Sequence, residues 1–94
     1  MAQRIEFRLD SSDYSELGSK ALSRGEVEKA IGYFKTACGI ADDSASYTAL
    51  GCAYAEVHAL ELSNAVLYTA MTKAKTEDDE TPALWQLCSN ALEE

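Results

Sequence analysis

Few side chains in this 94-residue chain could carry out nucleophilic, acid–base or metal chemistry. Cys38, Cys52 and Cys88 are an odd set at wide spacing, and no Cys-x2-Cys pair supports a zinc ribbon or a redox motif. His58 is the only histidine and lies six residues after Cys52, which places the two side chains on different faces of one helix. A cysteine–histidine nucleophile is therefore not expected within that helix.

The acidic run from Glu77 to Glu80 is the remaining candidate for a metal site. It lacks the ligand spacing and the glycine of a calcium loop, and we interpret the segment 76–80 as a solvated linker. No glycine-rich phosphate loop occurs elsewhere in the chain. The sequence therefore predicts no catalytic residues, no metal, no cofactor and no enzymatic activity.

Charge restricts the class of partner. Sixteen acidic residues against eight basic ones leave a net charge of −8, so nucleic acid and anionic membrane surfaces are disfavoured. A basic or amphipathic protein or peptide is the natural complement; the alternative is that the acidity only keeps a small bundle soluble. The first residues lack a secretory signal, no apolar run approaches the roughly 20 residues of a membrane span, and the cysteine usage fits a reducing compartment. We expect a cytoplasmic protein.

One pattern occurs twice along the chain. The first copy is Tyr14-x2-Leu17-Gly18-x2-Ala21 followed by Ala30-x3-Phe34, and the second is Tyr47-x2-Leu50-Gly51-x2-Tyr54 followed by Ala65 and Tyr68. Gly18 and Gly51 hold the same place in the two copies, and we call the distance between them along the sequence the repeat interval.

Over about residues 12–94 this pattern resembles the tetratricopeptide repeat (TPR) family. The resemblance implies an all-α fold of stacked antiparallel helical hairpins with about five helices, because one such hairpin cannot bury its apolar face alone. An unrelated five-helix bundle is the alternative.

Periodicity and caps predict where these helices lie. The first begins near Asp13, where Asp13 and Glu16 have the spacing of a capping box, and ends at Gly25. The others are predicted over about 26–39, 45–58 with Ser44 as its cap, 60–75, and from Thr81–Pro82 to the end. Residues 1–10 form a separate N-terminal arm with a strand-like alternation, and an extended arm and a helical start both stay open.

The second copy matches less closely by residue type. The step from Ala30 to Ala65 is longer than the repeat interval, which predicts two extra residues in the loop after the third helix, and Thr69 stands where Phe34 stood. A third partial match, Trp85-x2-Cys88-Ser89-x2-Leu92, imitates the first helix of another repeat, and we interpret it as a capping helix.

The resemblance also implies a concave groove lined by the first helix of each hairpin. Carried over to this chain, the partner-binding positions are Ser15, Ser19, Leu22, Thr48, Cys52, Ala55 and Gln86. These residues lack the lysine, arginine and asparagine with which related domains grip the C-terminal carboxylate of heat-shock chaperones, and a groove of small residues suits an apolar helix instead.

We therefore expect a protein–protein interaction module, a small adaptor or escort chaperone that binds an amphipathic segment of a partner. In size, acidity and repeat count the chain is similar to the repeat chaperones that guard bacterial type III secretion subunits before export. The alternative is a structural subunit of a homo- or hetero-oligomer, because roughly three repeats are usually needed for stability.

Overall fold

The computed structural model describes residues 10–93, and every regular element in that range is an α-helix. The five helices are α1 (Ser11–Ser23), α2 (Val27–Ala41), α3 (Ser44–Glu56), α4 (Leu60–Lys73) and α5 (Glu77–Glu93). The predicted all-α fold with five helices is confirmed. The predicted arm, residues 1–10, lies outside the described residues except for Asp10, which caps α1.

The helices form a stack of antiparallel hairpins, as predicted. α1 packs on α2, α3 packs on α4, and α2 and α4 each contact the helix that follows them. α3 also contacts α1 and α5, whereas α2 and α4 do not meet within residues 10–93. The first helices of the hairpins therefore lie side by side along one side of the stack, with α3 in the middle.

Equivalent helices begin one repeat interval apart throughout the stack. α1, α3 and α5 begin at Ser11, Ser44 and Glu77, and α2 and α4 begin at Val27 and Leu60. The two extra residues predicted after the third helix are therefore wrong. His58 closes that loop with a φ of 57°, the left-handed conformation that Gly25 adopts one repeat earlier with a φ of 78°.

Two glycines let the helices of each hairpin approach closely. A Cβ atom added to Gly18 would lie 2.6 Å from Cε1 of Phe34, and one added to Gly51 would lie 2.6 Å from Cδ2 of Leu67. Leu67 is thus the counterpart of Phe34, and the assignment of that place to Thr69 is wrong.

The counterpart of Ala30 in the second hairpin is a serine. Ser63 lies one repeat interval after Ala30, and both are fully buried. The hydroxyl of Ser63 donates a 2.7 Å hydrogen bond to the backbone carbonyl of Gly51. Ala65, which matched by residue type, is exposed to solvent. A serine can replace the alanine here because its hydroxyl has a partner and so carries no large desolvation penalty.

The core has two parts. The larger lies between α1, α2 and α3, and its buried members are Ala21, Ala30, Phe34, Cys38, Leu50, Ala53 and Tyr54. The smaller joins α4 to α5 through Leu67, Ala70 and Ala83. Tyr47 packs against both parts and links the two hairpins.

The helix caps differ from those predicted. The capping box of α1 pairs Asp10 with Asp13, one turn earlier than the predicted pair of Asp13 and Glu16. Asp43, which precedes the predicted cap Ser44, accepts a hydrogen bond from the backbone N–H of Ser46 at the start of α3. In both cases the aspartate stands one residue before the first helical residue, where its carboxylate reaches the free N–H groups of the first turn.

The acidic run is part of a helix and not a linker. Glu77 to Glu80 form the first turn of α5, and the hydroxyl of Thr76 accepts a hydrogen bond from the backbone N–H of Asp79. Acidic residues are favoured at a helix N-terminus because they complement the positive end of the helix dipole. Pro82 therefore lies inside α5, and the predicted start at Thr81–Pro82 is wrong.

Candidate functional site

The seven predicted partner-binding residues lie on the three first helices. Three are on α1, three on α3, and Gln86 is on α5. Since equivalent positions recur after each repeat interval, they extend into three rows that run across α1, α3 and α5. The rows are Ser15–Thr48–Thr81, Ser19–Cys52–Trp85 and Leu22–Ala55–Cys88.

Solvent reaches these rows unevenly. Ser19 is exposed, whereas Ser15, Cys52 and Ala55 are half-buried. Leu22 is half-buried and packs against the larger core cluster. Thr48 is only 9% exposed, and its hydroxyl has no hydrogen-bond partner among the described residues. The accessible part of the surface is therefore centred on the row Ser19–Cys52–Trp85.

Gln86 stands apart from the rows. Its side-chain amide donates a 3.0 Å hydrogen bond to Oδ1 of Asn90. Asn90 in turn donates to the hydroxyl of Ser63 at 2.9 Å and to Oδ1 of Asn64 at 2.8 Å, and both of these residues are on α4. Gln86 thus belongs to a polar network between α4 and α5, which fixes α5 against the preceding hairpin.

Sequence reasoning missed Thr81, Trp85 and Cys88 as members of the rows. Trp85 was matched by residue type to Tyr14 and Tyr47, whereas the helix starts place it with Ser19 and Cys52. The repeat interval was the signal that could have found it, since one further step beyond Gly51 leads to position 84. The tyrosines occupy a packing position that Glu80 takes in α5.

α5 is apolar on two opposite faces. Its inner face packs on α4 through Ala83 and Leu87, with Asn90 buried beside them. We call the opposite side the outer face of α5, and it comprises Thr81, Leu84, Trp85, Cys88 and Leu92. All five residues of the outer face are exposed, Trp85 at 72% and Leu92 at 88%. Four of them, all but Leu92, line an open apolar depression of about 330 Å³.

A second depression, also of about 330 Å³, lies between the N-terminal halves of α3 and α5. Its lining is mostly small or apolar, with two carboxylates: Ser44, Ala45, Thr48, Ala49, Asp78, Asp79 and Pro82. The hydroxyl of Ser44 donates a 3.2 Å hydrogen bond to the carbonyl of Asp79, which ties the start of α5 to the start of α3. The carboxylates of Asp78 and Asp79 are exposed and make this end of the surface acidic.

The thiols are poorly suited to nucleophilic chemistry. Burial raises the pKa of Cys38 to about 11, and burial likewise raises the pKa of Cys52. His58 is exposed and lies 3.7 Å from the carboxylate of Glu93. Within residues 10–93 no three histidine, cysteine, aspartate or glutamate side chains come together in a way that could hold a metal ion.

Comparison with known proteins adds no relative to this description. Neither the protein-family models, nor the curated proteins, nor the solved structures include a match to the chain. None of the helices in residues 10–93 has the length and apolar character that a bilayer crossing needs. The argument for function therefore rests on the geometry and chemistry of the surface.

Proposed function

We propose that this chain is a protein–protein interaction module, a small adaptor or escort chaperone that holds an amphipathic segment of a partner protein. The supporting observation is the chemistry of the three rows on α1, α3 and α5, which contain no charged residue in a chain of net charge −8. A continuous uncharged surface of this kind suits an apolar helix face laid across it. On this proposal the function needs no cofactor, metal or catalytic group, and the chain is not an enzyme.

The repeat organisation supports a place in the tetratricopeptide repeat family. Helix starts one repeat interval apart, a glycine facing a large side chain in each hairpin, and first helices that lie side by side all agree with that family's pattern. On this proposal the partner is a protein or peptide, and the chain binds neither nucleic acid nor a membrane, because its net negative charge repels both.

The test is binding of helical peptides selected from a random display library with the chain as bait. We expect amphipathic peptides to be recovered and to bind about tenfold more weakly to a Ser19→Glu/Cys52→Glu variant. Both positions are accessible, so the variant is expected to fold; Thr48 is avoided because it is buried. Equal binding by a folded variant would place the site elsewhere.

A matched control carries the same charges on the second helices. Thr36 and Thr72 are exposed on α2 and α4, away from the rows, so a Thr36→Glu/Thr72→Glu variant is expected to bind as the unmodified chain does. If this control loses as much affinity as the groove variant, net charge and not position governs binding. The proposal for the groove would then be wrong.

A structural subunit is the second candidate, and the exposed outer face of α5 favours it. A large exposed apolar surface is typical of an interface. Light scattering on the purified chain separates the two functions. A monomer that binds the selected peptides supports the module, whereas a stable oligomer that binds none of them supports the structural subunit.

A further inference from the structure

The outer face of α5 corresponds to surfaces that are covered in the two complete hairpins. Position 84 follows Gly18 and Gly51 in the register of the repeat, and these glycines lie beneath Phe34 of α2 and Leu67 of α4. Leu84 is 43% exposed, and no described helix packs on it. α5 is therefore the first helix of a third hairpin whose second helix is missing from residues 10–93.

The change from glycine to leucine specifies the shape of a fitting helix. In the complete hairpins a large residue of the second helix lies against a glycine of the first. At α5 the large residue is Leu84 itself, so the helix that covers it needs a small residue at the point of contact. The flanking side chains of Trp85 and Cys88 then pack on either side of that point, within the depression that these residues line.

The charge of α5 specifies the chemistry of that helix. The described part of α5 carries five carboxylates and no basic residue, namely Glu77, Asp78, Asp79, Glu80 and Glu93. Lys73 and Lys75 precede the helix, and Lys73 forms a 2.9 Å ion pair with Asp42. Two copies of α5 placed together would bring like charges close, which disfavours a homodimer through this face. A basic helix is the complementary occupant.

We propose that a basic amphipathic helix of a partner protein docks on the outer face of α5 and completes the third hairpin. The helix runs antiparallel to α5, as α2 runs relative to α1. Its apolar side covers Leu84, Trp85 and Leu92, and its lysines or arginines lie near the first-turn carboxylates and Glu93. This inference rests on the proposed function, because it names the segment that the surface binds and the end of the stack at which it docks.

Trp85 provides a direct measurement, because it is the only tryptophan of the chain and lies within the proposed contact. The probes are two synthetic helical peptides with the same leucine and alanine face and a central alanine, one with lysine and one with glutamate on the polar face. We expect the lysine peptide to shift Trp85 emission to shorter wavelength in a saturable titration and the glutamate peptide to leave it unchanged. No shift with the lysine peptide, or equal shifts with both, overturns the proposal.

Variants separate this contact from general electrostatic attraction. Leu84→Ser/Leu92→Ser is expected to weaken binding of the lysine peptide by about tenfold or more, since both side chains lie in the contact. Leu62→Ser is the matched control, because Leu62 is an exposed leucine on α4, outside the contact. Equal affinity of the two variants overturns the proposal.

Two further outcomes identify another occupant or another site. If light scattering finds a dimer that Leu84→Ser dissociates, a second copy covers the face; if removal of residues 1–9 shifts Trp85 emission to longer wavelength, the N-terminal segment covers it. Either result overturns the proposal. If the lysine peptide loses affinity for Ser19→Glu/Cys52→Glu but not for Leu84→Ser/Leu92→Ser, the proposed function stands and the inference about α5 fails.

Discussion

The side chain of Leu67 lies directly over the backbone of Gly51. A Cβ atom at position 51 would lie 2.6 Å from both Cγ and Cδ2 of Leu67, and Leu67 is fully buried. The same relationship joins Gly18 to Phe34 one repeat earlier. Each pair sets the distance between the two helices of its hairpin, and together they show that the repeat is a repeat of packing as well as of sequence.

Gly51→Ala is therefore expected to destabilise the fold by about 1–2 kcal/mol in urea unfolding. Overpacking against Leu67 costs about 1–3 kcal/mol and exceeds the roughly 1 kcal/mol that alanine gains over glycine within a helix. Gly32→Ala is the control, because a Cβ atom there meets nothing within 4 Å and only the gain remains. Equal stability of the two variants would contradict the close approach of α3 and α4.

His58→Gly is expected to stabilise the protein by about 0.5–1 kcal/mol in thermal unfolding. His58 holds a φ of 57°, which costs an L residue energy that glycine does not pay. The ion pair lost with Glu93 is exposed and contributes little. Glu56→Gly, inside the last turn of α3, should lose about 1 kcal/mol instead. A loss at His58 as large as that at Glu56 would argue against the left-handed turn.

The fold could be predicted from sequence because its strongest signals were local. The two Leu–Gly pairs and the apolar spacing of α1 to α4 indicated hairpins, and the hairpins were found. The register of the second repeat could not be predicted from residue type, because its key positions are filled by different residues with the same role. Ser63 replaces an alanine through a hydrogen bond, and Leu67 replaces a phenylalanine by volume.

The candidate site followed the same limit. Ser19 and Cys52 were found because they belong to the two well-matched first helices. Trp85 was not, because an aromatic residue in α5 resembled the packing tyrosines Tyr14 and Tyr47 more than a serine or a cysteine. Whether a side chain at a given register is buried depends on the neighbouring helix, and α5 has no neighbour on its outer face among the described residues.

The network around Asn90 is expected to show strong coupling in a double-mutant cycle. Asn90→Leu alone leaves buried polar groups of Ser63 and Gln86 without a partner, which costs about 2–3 kcal/mol. Ser63→Ala restores the residue type of Ala30 and removes one of those groups. Unfolding free energies should show that the double variant loses about 1 kcal/mol less than the sum of the single variants. Simple additivity would mean that the network does not tie α4 to α5.

The three cysteines are expected to react with a thiol reagent in the order Cys88, Cys52, Cys38. Cys88 is exposed, whereas burial raises the pKa of Cys38 from the usual 9.0 to about 11, which lowers its thiolate fraction about a hundredfold. Labelling followed by mass spectrometry gives the order. Fast labelling of Cys38 in the folded protein would contradict its burial in the larger core.

The same shift gives a sign for the pH dependence of stability. Folded Cys38 holds its proton more tightly than the unfolded chain, so its contribution is full below pH 9 and is lost as pH rises toward 11. The stability difference between the unmodified chain and Cys38→Ala should therefore shrink over that interval. The difference isolates Cys38 from the tyrosines and lysines that titrate in the same range. A difference that stays constant would show that the Cys38 thiol titrates alike in the folded and unfolded states.

Chemical-shift mapping by nuclear magnetic resonance tests the central claim, that the side formed by α1, α3 and α5 holds a partner segment. The ligand is an amphipathic peptide selected on the chain itself, titrated into the isotopically labelled protein. The account predicts that the largest shifts fall on Ser19, Cys52 and Trp85 and that Thr36 and Thr72 on the second helices stay unchanged. Shifts concentrated on α2 and α4, with the row Ser19–Cys52–Trp85 unaffected, would contradict it.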